Sequence, residues 1–549
     1  MSSISISEMG TRALALCTIR NAPLSVVGFV ALRFLYQIIH YRFFHPLRRY
    51  PGPFWASVTR LWQAWHLFWG SDLEVHWKAV QKYGPVVRVS PTMLLVADST
   101  LLPTVYHRRD TKSRFYLSDY WESKGSVMIR DPAQHAAHRR LVGATYSMSN
   151  IQRMESLLDK HILRWFDKID RTYVQQQMPV DFAEWTTFLS YDTLTDVGFR
   201  NPQGFIEAGS DVGGMIKAFR LGTLAFTTAG RLYPFFGWLP HTWLRRFLVV
   251  RPGQKLGFGV VMERAKKILD ERTQALAEGR AIKPEKGDGS YDFLQAFMDT
   301  RTPEGEPLSS ENIQTEIFVL LGAGVDGFTA MCSALLAEVL SRPPIFTRLM
   351  EEIKGAVVAG ELSQPVPTYA EVARSLPFFV ACVRETLRVH PVGSTALPRV
   401  VTADGPELFL AGSRVPPGTE VGASPWICHR DRAIYGADAE VFNPDRWLGD
   451  PAQVRLYEKH NFAWGYGSRV CLGKHFATML LYKAPIALFL TFEAALCPET
   501  LETPKPQVGC SGPSLRWRDV WVNLRKRKPW VAQEGTETRV DGKTAGKGA

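Results

Sequence analysis

The chain has 549 residues and a mass of 61.8 kDa, and 46% of its residues are hydrophobic and 12% aromatic. This is enough apolar surface to bury a large core, which excludes a mostly disordered chain. The net charge of +12 and the pI of about 9.3 suit a nucleic acid, an anionic membrane or an acidic protein as partner, and charge alone does not choose among them.

The first notable segment is an apolar run at residues 24–41, about as long as the ~20 residues that a helix needs to cross a bilayer. It predicts a single N-terminal membrane anchor. Arg33 lies within the run and would be costly at bilayer depth, so a buried or interfacial helix is the alternative. More arginines follow the run than precede it, which places the main body on the cytoplasmic side.

Helical spacing of apolar residues dominates the middle of the chain. It recurs at residues 151–169, 258–278, 310–341, 345–359 and 371–389. Short strand-like patterns lie at residues 86–89, 93–96, 407–410 and 520–524. Because the strands are few and do not alternate with helices, we predict a mainly α fold with small β-sheets.

The domain division follows from composition. Residues 51–53 read Pro-Gly-Pro and predict a stiff connector, residues 283–290 predict a surface loop, and the polar, glycine-rich end predicts disorder. The predicted division is an anchor with its flanks, a globular domain and a disordered tail, at residues 1–45, 46–530 and 531–549.

Residues 322–327 match the glycine pattern GxGxxG of dinucleotide-binding proteins. In those proteins the motif follows a strand and opens a helix. Here Ser309, Ser310 and Glu311 look like a helix start, so the glycines lie inside a long helix. Each glycine there costs up to ~1 kcal/mol, which predicts that something flat lies close to the backbone. A nicotinamide-dependent dehydrogenase remains a remote alternative.

The seven cysteines are widely spaced and form no CxxC pair, which argues against a disulfide framework or a multi-cysteine zinc site. Cys471 has a distinctive setting, with Gly465, Gly467, Arg469 and Gly473 around it. Glycines let backbone N–H groups approach the sulfur, and a nearby cation and a following helix favour its charged form. The pattern predicts a metal-bound thiolate, and a buried structural cysteine is the alternative.

At this cysteine the chain resembles the cytochrome P-450 superfamily of haem-thiolate monooxygenases, whose loop reads F-x-x-G-x-R-x-C-x-G. The matching residues are Gly467, Arg469, Cys471 and Gly473, and Trp464 stands where the family has Phe. The resemblance implies that these residues bind haem. Both residues at the first position are aromatic, so haem binding should survive the change, whereas packing near the sulfur and the redox potential are open to change.

Two further motifs occur in the family's order. Glu385 and Arg388 fit its E-x-x-R helix, and Arg446 lies in the FNPDRW segment that fits the following meander. Alone, such a Glu–Arg pair is usually a surface contact worth little energy. The resemblance implies a buried Glu–Arg–Arg network that supports the haem-binding core. It covers about residues 51–524, is greatest to fungal members of the pisatin-demethylase-like type, and implies the cytochrome P-450 fold behind an N-terminal anchor helix.

The resemblance also implies the cofactor, which is haem b with Cys471 as the axial ligand to its iron. The family's W-x-x-x-R helix occurs here with His135 at the Trp position, followed by Arg139. Together with Arg399 and Arg469, Arg139 is expected to bind the haem propionates, because guanidinium groups pair naturally with carboxylates.

The family's oxygen-activating helix carries A/G-G-x-D/E-T. Here Ala323 and Gly324 are expected to lie against the haem, and Asp326 is expected to help deliver protons. Gly327 stands where the family has Thr and is, with Asp326, the predicted catalytic position. Thr329 lies roughly opposite the haem-facing side at ~100° per residue, so only a bulge or kink would bring it to the haem.

Two reaction classes follow from the missing Thr. In the one we favour, Gly327 enlarges the pocket, a substrate hydroxyl or a water relays the proton, and the enzyme is an oxygen-dependent monooxygenase. In the other, the enzyme acts without O₂ as a haem-thiolate isomerase or dehydratase. A non-catalytic haem-binding sensor would need the cysteine loop but not Asp326.

The resemblance implies partners and location as well. We expect electrons from NADPH through cytochrome P-450 reductase, with cytochrome b5 as a second candidate donor, and no nucleic acid. The expected substrate is a lipophilic fungal secondary-metabolite intermediate, and the expected location is the endoplasmic reticulum membrane. The segments expected to line the substrate site are residues 106–129, 219–239, 320–328, 392–397 and 510–515.

Overall fold

The fold comes from a computed structural model. It describes residues 28–29, 31–107, 109, 111–121, 125–280, 292–498, 507–508 and 514–530, without the side chains at positions 248, 323, 325, 507 and 508. The predicted loop at 283–290 and tail at 531–549 lie outside these residues. Within them the chain is mainly helical with small sheets, which confirms the predicted fold class.

The helices occupy most of the described chain. The α-helices of five or more residues are Phe54–Val58, Leu61–Phe68, Asp72–Tyr83, Pro132–Val142, Met148–Arg153, Glu155–Ile169, Phe182–Phe199, Met215–Arg231, Phe258–Ala277, Phe293–Asp299, Ser310–Leu340, Pro343–Val358, Tyr369–Ser375, Pro377–Val389, Pro451–His460 and Lys474–Thr491. Four-residue α-helices are Leu102–Val105, Phe205–Ala208, Tyr233–Phe236, Arg245–Leu248, Pro425–Cys428 and Arg432–Tyr435.

Short 3₁₀ and π turns join several of these helices. The 3₁₀ turns are Pro46–Arg49, Ser99–Leu101, Arg114–Tyr116, Ser118–Tyr120, Gly143–Tyr146, Val212–Gly214, Leu239–His241, Pro444–Trp447 and Gly467–Arg469, and the π turns are His40–Phe44 and Asp170–Val174. Two predicted helices are each split in two. Met154 is non-helical, and Pro377 begins a new helix because it has no N–H to continue the preceding one.

The helix Ser310–Leu340, hereafter the central helix, runs through the core and is packed by Phe182–Phe199 and Phe258–Ala277. The side chain of Ser309 caps its start by accepting a hydrogen bond from the backbone N–H of Asn312 (3.2 Å). The GxGxxG pattern therefore lies inside a helix, which excludes the strand–turn–helix that a dinucleotide site requires.

Among the described residues, the central helix is the one helix long and apolar enough to cross a membrane, and 81% of its most apolar window is buried within the protein. The predicted anchor at residues 24–41 falls partly outside the described residues. Positions 28–29 and 31–39 are helical, and the structure does not show a membrane anchor.

Among the described residues, the strands form four small sheets. The largest has the order Val86–Ser90, Met93–Val96, Glu420–Ala423, Arg399–Val400, Thr111–Lys112. A three-stranded sheet has the order Val180–Asp181, Trp521–Lys526, Phe492–Leu496, and the two-stranded sheets are Phe409–Leu410 with Ser413–Arg414 and Gln507–Val508 with Leu515–Arg516. In the largest sheet Met93–Val96 pairs in parallel with Glu420–Ala423, which brings distant parts of the chain to one edge of the molecule.

Buried Arg88 fastens the connector to this sheet. Its guanidinium donates to the carbonyl oxygens of Tyr41 (2.9 Å) and Pro91 (2.7 Å), and its backbone N–H donates to the carbonyl of Pro51 (2.8 Å). A Cβ on Gly52 would lie 2.2 Å from the carbonyl oxygen of Arg88, so the close approach requires glycine there. The connector is therefore held against the first strand.

Candidate active site

A cleft lies between the central helix and the cysteine loop, which we define as residues 464–473. It consists of two adjoining cavities of about 300 and 220 Å³. Both cavities are lined by Gly327, Met331, Trp464, Arg469 and Cys471. The helix predicted to activate oxygen and the cysteine predicted to bind metal thus face the same space.

The shape of the cysteine loop depends on two glycines. Gly465 and Gly467 have φ of 85° and 64°, a left-handed conformation that favours glycine, and a Cβ on Gly467 would lie 3.0 Å from the carbonyl oxygen of Tyr106. The backbone N–H of Cys471 donates to the carbonyl of Trp464 (2.8 Å). This bond closes the loop and presents the cysteine at its end.

Cys471 is exposed towards the cleft, while protein surrounds it on its other sides. Burial on those sides raises the pKa of its thiol, whereas the backbone N–H of Gly473, the charge of Arg139 and the backbone N–H of Lys474 lower it. The helix Lys474–Thr491 begins just after the loop, so its positive end also faces the sulfur. Burial has the largest effect and leaves the pKa of the thiol raised overall, so a cation bound in the cleft would be needed to hold the thiolate, with the N–H groups and Arg139 assisting.

Two of the predicted haem-binding residues, His135 and the propionate residue Arg139, come from the helix Pro132–Val142 and line the smaller cavity. Arg139 donates to the carbonyl of Val470 (2.6 Å). Burial, followed by the charges of Arg469, Lys112 and Arg139, lowers the pKa of His135 to about 3. His135 is therefore a neutral imidazole among cations, in a place that suits anions.

The other two predicted propionate residues are Arg399 and Arg469. Arg469 donates to the carbonyls of Ile129 (3.2 Å) and Arg130 (3.1 Å) and lines both cavities. Arg399 lines the larger cavity, donates to the hydroxyl of Tyr116 (3.2 Å) and stacks on the ring of Tyr106 (4.9 Å). A set of cations from separate segments thus rims a cleft that holds one thiol.

These residues fit a haem. The thiol of Cys471 can ligate the iron, and the guanidinium groups can pair with two carboxylates. Lys112 also lines the smaller cavity and donates to the carbonyls of Ser126 (3.2 Å) and Val127 (2.7 Å). Lys112 falls in the predicted lining segment 106–129, but no motif marked it as a cation of the cofactor site.

The predicted Glu–Arg–Arg network is fully assembled behind the cysteine loop. Glu385 and Arg388 are both 0% exposed, and the guanidinium of Arg388 donates to both carboxylate oxygens of Glu385 (2.7 and 2.8 Å). Glu385 also accepts from the backbone N–H of Asn443 (2.9 Å) and the indole of Trp447 (2.9 Å), and Arg446 lies 3.5 Å from it. The pair is therefore not the surface contact that the alternative described.

The glycines of the central helix serve two different structural purposes. A Cβ on Gly322 would lie 2.0 Å from the ring of Phe219, and one on Gly324 would lie 2.3 Å from the Leu194 side chain. The flat group predicted to lie against this helix is therefore the Phe219 ring, at Gly322. At Gly327 a Cβ would meet nothing within 4 Å, so this glycine provides open space in the cleft. The side chain of Ala323 is outside the described residues.

Asp326 is turned away from the cleft. Its carboxylate accepts hydrogen bonds from Nε (3.3 Å) and Nη2 (3.1 Å) of Arg220, on the helix Met215–Arg231. Thr329 lies on the far side of the central helix, where it lines a separate cavity of about 590 Å³ together with Arg220. Its placement matches the helical-wheel argument. The sequence held no signal for Arg220, which is 106 positions from its partner.

Comparisons with known proteins place this geometry in context. The family model described as Cytochrome P450 matches residues 52–514. The chain is 57% identical to quiannulatic acid synthase of Emericella variicolor, over 95% of this chain and 98% of that protein. It is 30% identical to the cytochrome P450 monooxygenases gsfF of Penicillium aethiopicum and pkfB of Emericella nidulans, in each case over 86% of this chain and 92% of the relative.

Proposed function

The chain belongs to the cytochrome P450 family of monooxygenases, and from that premise we propose that it oxidises a lipophilic intermediate of fungal secondary metabolism with O₂ and electrons from NADPH. The observation that carries the proposal is the thiol of Cys471, which faces a cleft rimmed by cations beneath the central helix. The aliphatic and aromatic side chains of the cleft suit an apolar substrate.

We further propose that the product is a carboxylic acid. The relative with 57% identity is named an acid synthase. A methyl group becomes a carboxyl group by three successive oxidations at one carbon, which together use three O₂ and three NADPH and release four waters. The open space at Gly327 leaves room for the larger oxygenated groups that such a sequence places in the cleft.

Each predicted residue has a role in this proposal. Bound haem supplies the oxygen chemistry of the family. Cys471 Sγ would hold the iron, and Arg139, Arg399 and Arg469 would hold the carboxylates of the cofactor. Asp326 is the acid nearest to Gly327 along the helix and passes protons from the side of Arg220 towards the cleft. With no hydroxyl at position 327, the substrate or a water completes the relay.

The test is turnover of the purified enzyme with a P450 reductase and NADPH. The substrate panel is a set of apolar compounds that includes the precursor of quiannulatic acid in which a methyl group replaces the carboxyl group. We expect an acid product and three NADPH consumed for each acid formed. An alcohol product, formed with one NADPH consumed, would support the monooxygenase assignment and contradict the proposal of an acid product.

A second candidate reaction is favoured by the same glycine. Because Gly327 offers no hydroxyl, an isomerase or dehydratase that needs neither O₂ nor NADPH is the alternative. Anaerobic incubation of enzyme with substrate, without a reductase, separates the two. Product under those conditions would reject the oxygen-dependent proposal.

We also propose attachment to the endoplasmic reticulum membrane through the N-terminal segment, with the catalytic domain in the cytoplasm. The described part of that segment exposes large apolar side chains, as do two nearby helical regions. They include Phe29, Leu32, Leu35, Phe43, Phe44, Trp55, Trp65, Trp69, Trp238, Trp243 and Phe247. Tryptophan is enriched at membrane interfaces, which supports the proposed attachment. Deletion of residues 1–44 should release haem-containing enzyme from membranes washed with high salt.

The proposed electron donors are cytochrome P450 reductase and, as a second candidate, cytochrome b5. The net charge of +12 supports docking of an acidic partner. The rate of reduction by the reductase should therefore fall steeply as ionic strength rises. A rate that is insensitive to salt would argue against electrostatic docking.

A further inference from the structure

One buried ion pair at the cleft has no place in the mechanism above. Glu316 lies on the central helix, two turns before Gly324 and on the same stripe of residues. Its Oε1 lies 2.7 Å from Nε2 of His138, on the helix Pro132–Val142. The Glu316 side chain is 1% exposed and that of His138 is 12% exposed.

One oxygen of the Glu316 carboxylate lacks a hydrogen bond within the described part of the chain. Oε2 is buried and has no hydrogen-bond partner among the described residues, and Glu316 lines the smaller cavity. It is the one carboxylate among the described residues that line either cavity. Among the described lining residues, the carboxylate of Glu316 is thus outnumbered by the cations that rim the cleft.

Two neighbouring residues, Gly125 and Tyr146, lie close to the Glu316 carboxylate. A Cβ on Gly125 would lie 3.1 Å from side chains of both Thr315 and Val319 and 3.5 Å from Oε1 of Glu316, so glycine lets the backbone at position 125 lie close to the carboxylate. Burial, followed by the charges of Glu316 and Cys471, raises the pKa of Tyr146 well above its usual value. The carboxylate and the thiol are therefore both within electrostatic reach of the same phenol.

We propose that the Glu316–His138 pair sets the reduction potential of the haem iron. Reduction adds one electron to the iron without forming or breaking a bond to these residues. A negative charge buried beside the cofactor opposes that added electron, and the opposition is strong because the interior has a low dielectric constant. The imidazole, with Nε2 at 2.7 Å from Oε1, offsets part of the charge of the carboxylate through this contact. The proposal rests on haem occupying the cleft, and not on the substrate or the reaction.

The experiment is a potentiometric titration of substrate-free holoenzyme with dithionite and redox mediators, after haem content has been measured. Glu316→Gln keeps the size of the side chain and removes its charge, and it should raise the potential. We expect about a tenfold change in the ratio of reduced to oxidised enzyme at fixed potential, which is about 59 mV for one electron. Glu316→Asp keeps the charge and should stay close to the parent.

His138→Gln supplies the opposite sign. Loss of the imidazole removes the partner of Oε1 and leaves the charge of the carboxylate less offset, so the potential should fall below that of the parent. A merely structural pair would shift both variants in the same direction through loosened packing. Shifts of the same sign for Glu316→Gln and His138→Gln would therefore overturn the proposal, as would an unchanged potential in Glu316→Gln.

The chain provides a matched control. His161 and Asp196 form a second buried histidine–carboxylate pair, with 2.8 Å between Nε2 and Oδ2, and neither residue lines the cleft. Asp196→Asn should leave the potential unchanged, and a shift equal to that of Glu316→Gln would overturn the proposal. Because the titration needs no substrate, its result is independent of whether the enzyme forms an acid.

Discussion

The two sides of the cleft are built on different principles. Behind the cysteine loop, Glu385 is bonded to Arg388, Asn443 and Trp447. Across the cleft, the central helix has glycines, an acid turned outwards and, at Gly327, open space. Polar contacts fix the first side, whereas close packing and vacancy shape the second. A side with many bonded polar groups tolerates little change, and a side shaped by space is free to vary with the substrate.

The largest expected effect is on the cysteine loop itself. Cys471→Ala removes the thiol that faces the cleft and should abolish the thiolate-type band of the ferrous–CO complex completely. Absorbance spectroscopy of the purified protein measures it. Cys497→Ala, at a buried cysteine outside the cleft, should keep the band. If Cys471→Ala kept the band, Cys471 would not be the haem ligand.

The bonded side can be tested at Glu385. Glu385→Ala would leave Arg388 as an uncompensated buried charge, which typically costs ~3–5 kcal/mol, and haem content should fall with the free energy of unfolding. Glu458→Ala is the matched control, because Glu458 pairs with the half-exposed Arg384 on the same helix as Arg388 and such pairs are worth ~0–1 kcal/mol. Equal losses in urea unfolding would mean that burial does not distinguish the pairs.

A buried carboxyl without a bonded guanidinium should behave in the opposite way. Burial raises the pKa of Asp72 to about 6, against the opposing charge of Arg231. This value lies above the ~3.9 of an unfolded aspartate, so the folded state binds the proton more tightly. The contribution of Asp72 to stability is therefore fully present below about pH 4 and is lost as the pH rises through 6.

The Asp72→Asn variant has no carboxyl group to titrate. Its free energy of unfolding, relative to that of the parent, should therefore rise by up to about 3 kcal/mol between pH 4 and pH 7. Urea unfolding at the two pH values measures the difference. Asp119→Asn, at a half-exposed aspartate, should show little change between the same pH values. If the free energy of unfolding of Asp72→Asn differed from that of the parent by the same amount at both pH values, the raised pKa of Asp72 would be contradicted.

The smallest effects are expected on the central helix, and they should differ in sign. Gly322→Ala places a methyl group against the Phe219 ring and should destabilise the protein by ~1–3 kcal/mol through overpacking. Gly327→Ala meets open space and should stabilise the helix by up to ~1 kcal/mol. Thermal unfolding of the two variants measures the contrast. Equal destabilisation by both would mean that the cleft is closed at Gly327.

Local patterns account for what the sequence could predict. Periodicity placed most helices, and the cysteine motif marked Cys471, because both depend on residues close together in the chain. Phe219 and Arg220 lie about a hundred positions before the residues that they contact, and His138 lies 178 positions before Glu316. No local pattern records such contacts, so the reasons for the glycines and the partner of Asp326 needed the fold.

The adjacent contacts of Phe219 and Arg220 with the central helix have a mechanical consequence. Phe219 lies on Gly322, and Arg220 is bonded to Asp326. The helix Met215–Arg231 therefore cannot move along the central helix in small steps. Any displacement has to separate the Phe219 ring from Gly322 and break the Arg220–Asp326 ion pair at the same time. Its separation from the central helix is a single cooperative event, and the backbone amides of the two contacting segments should share one opening free energy in native-state hydrogen exchange.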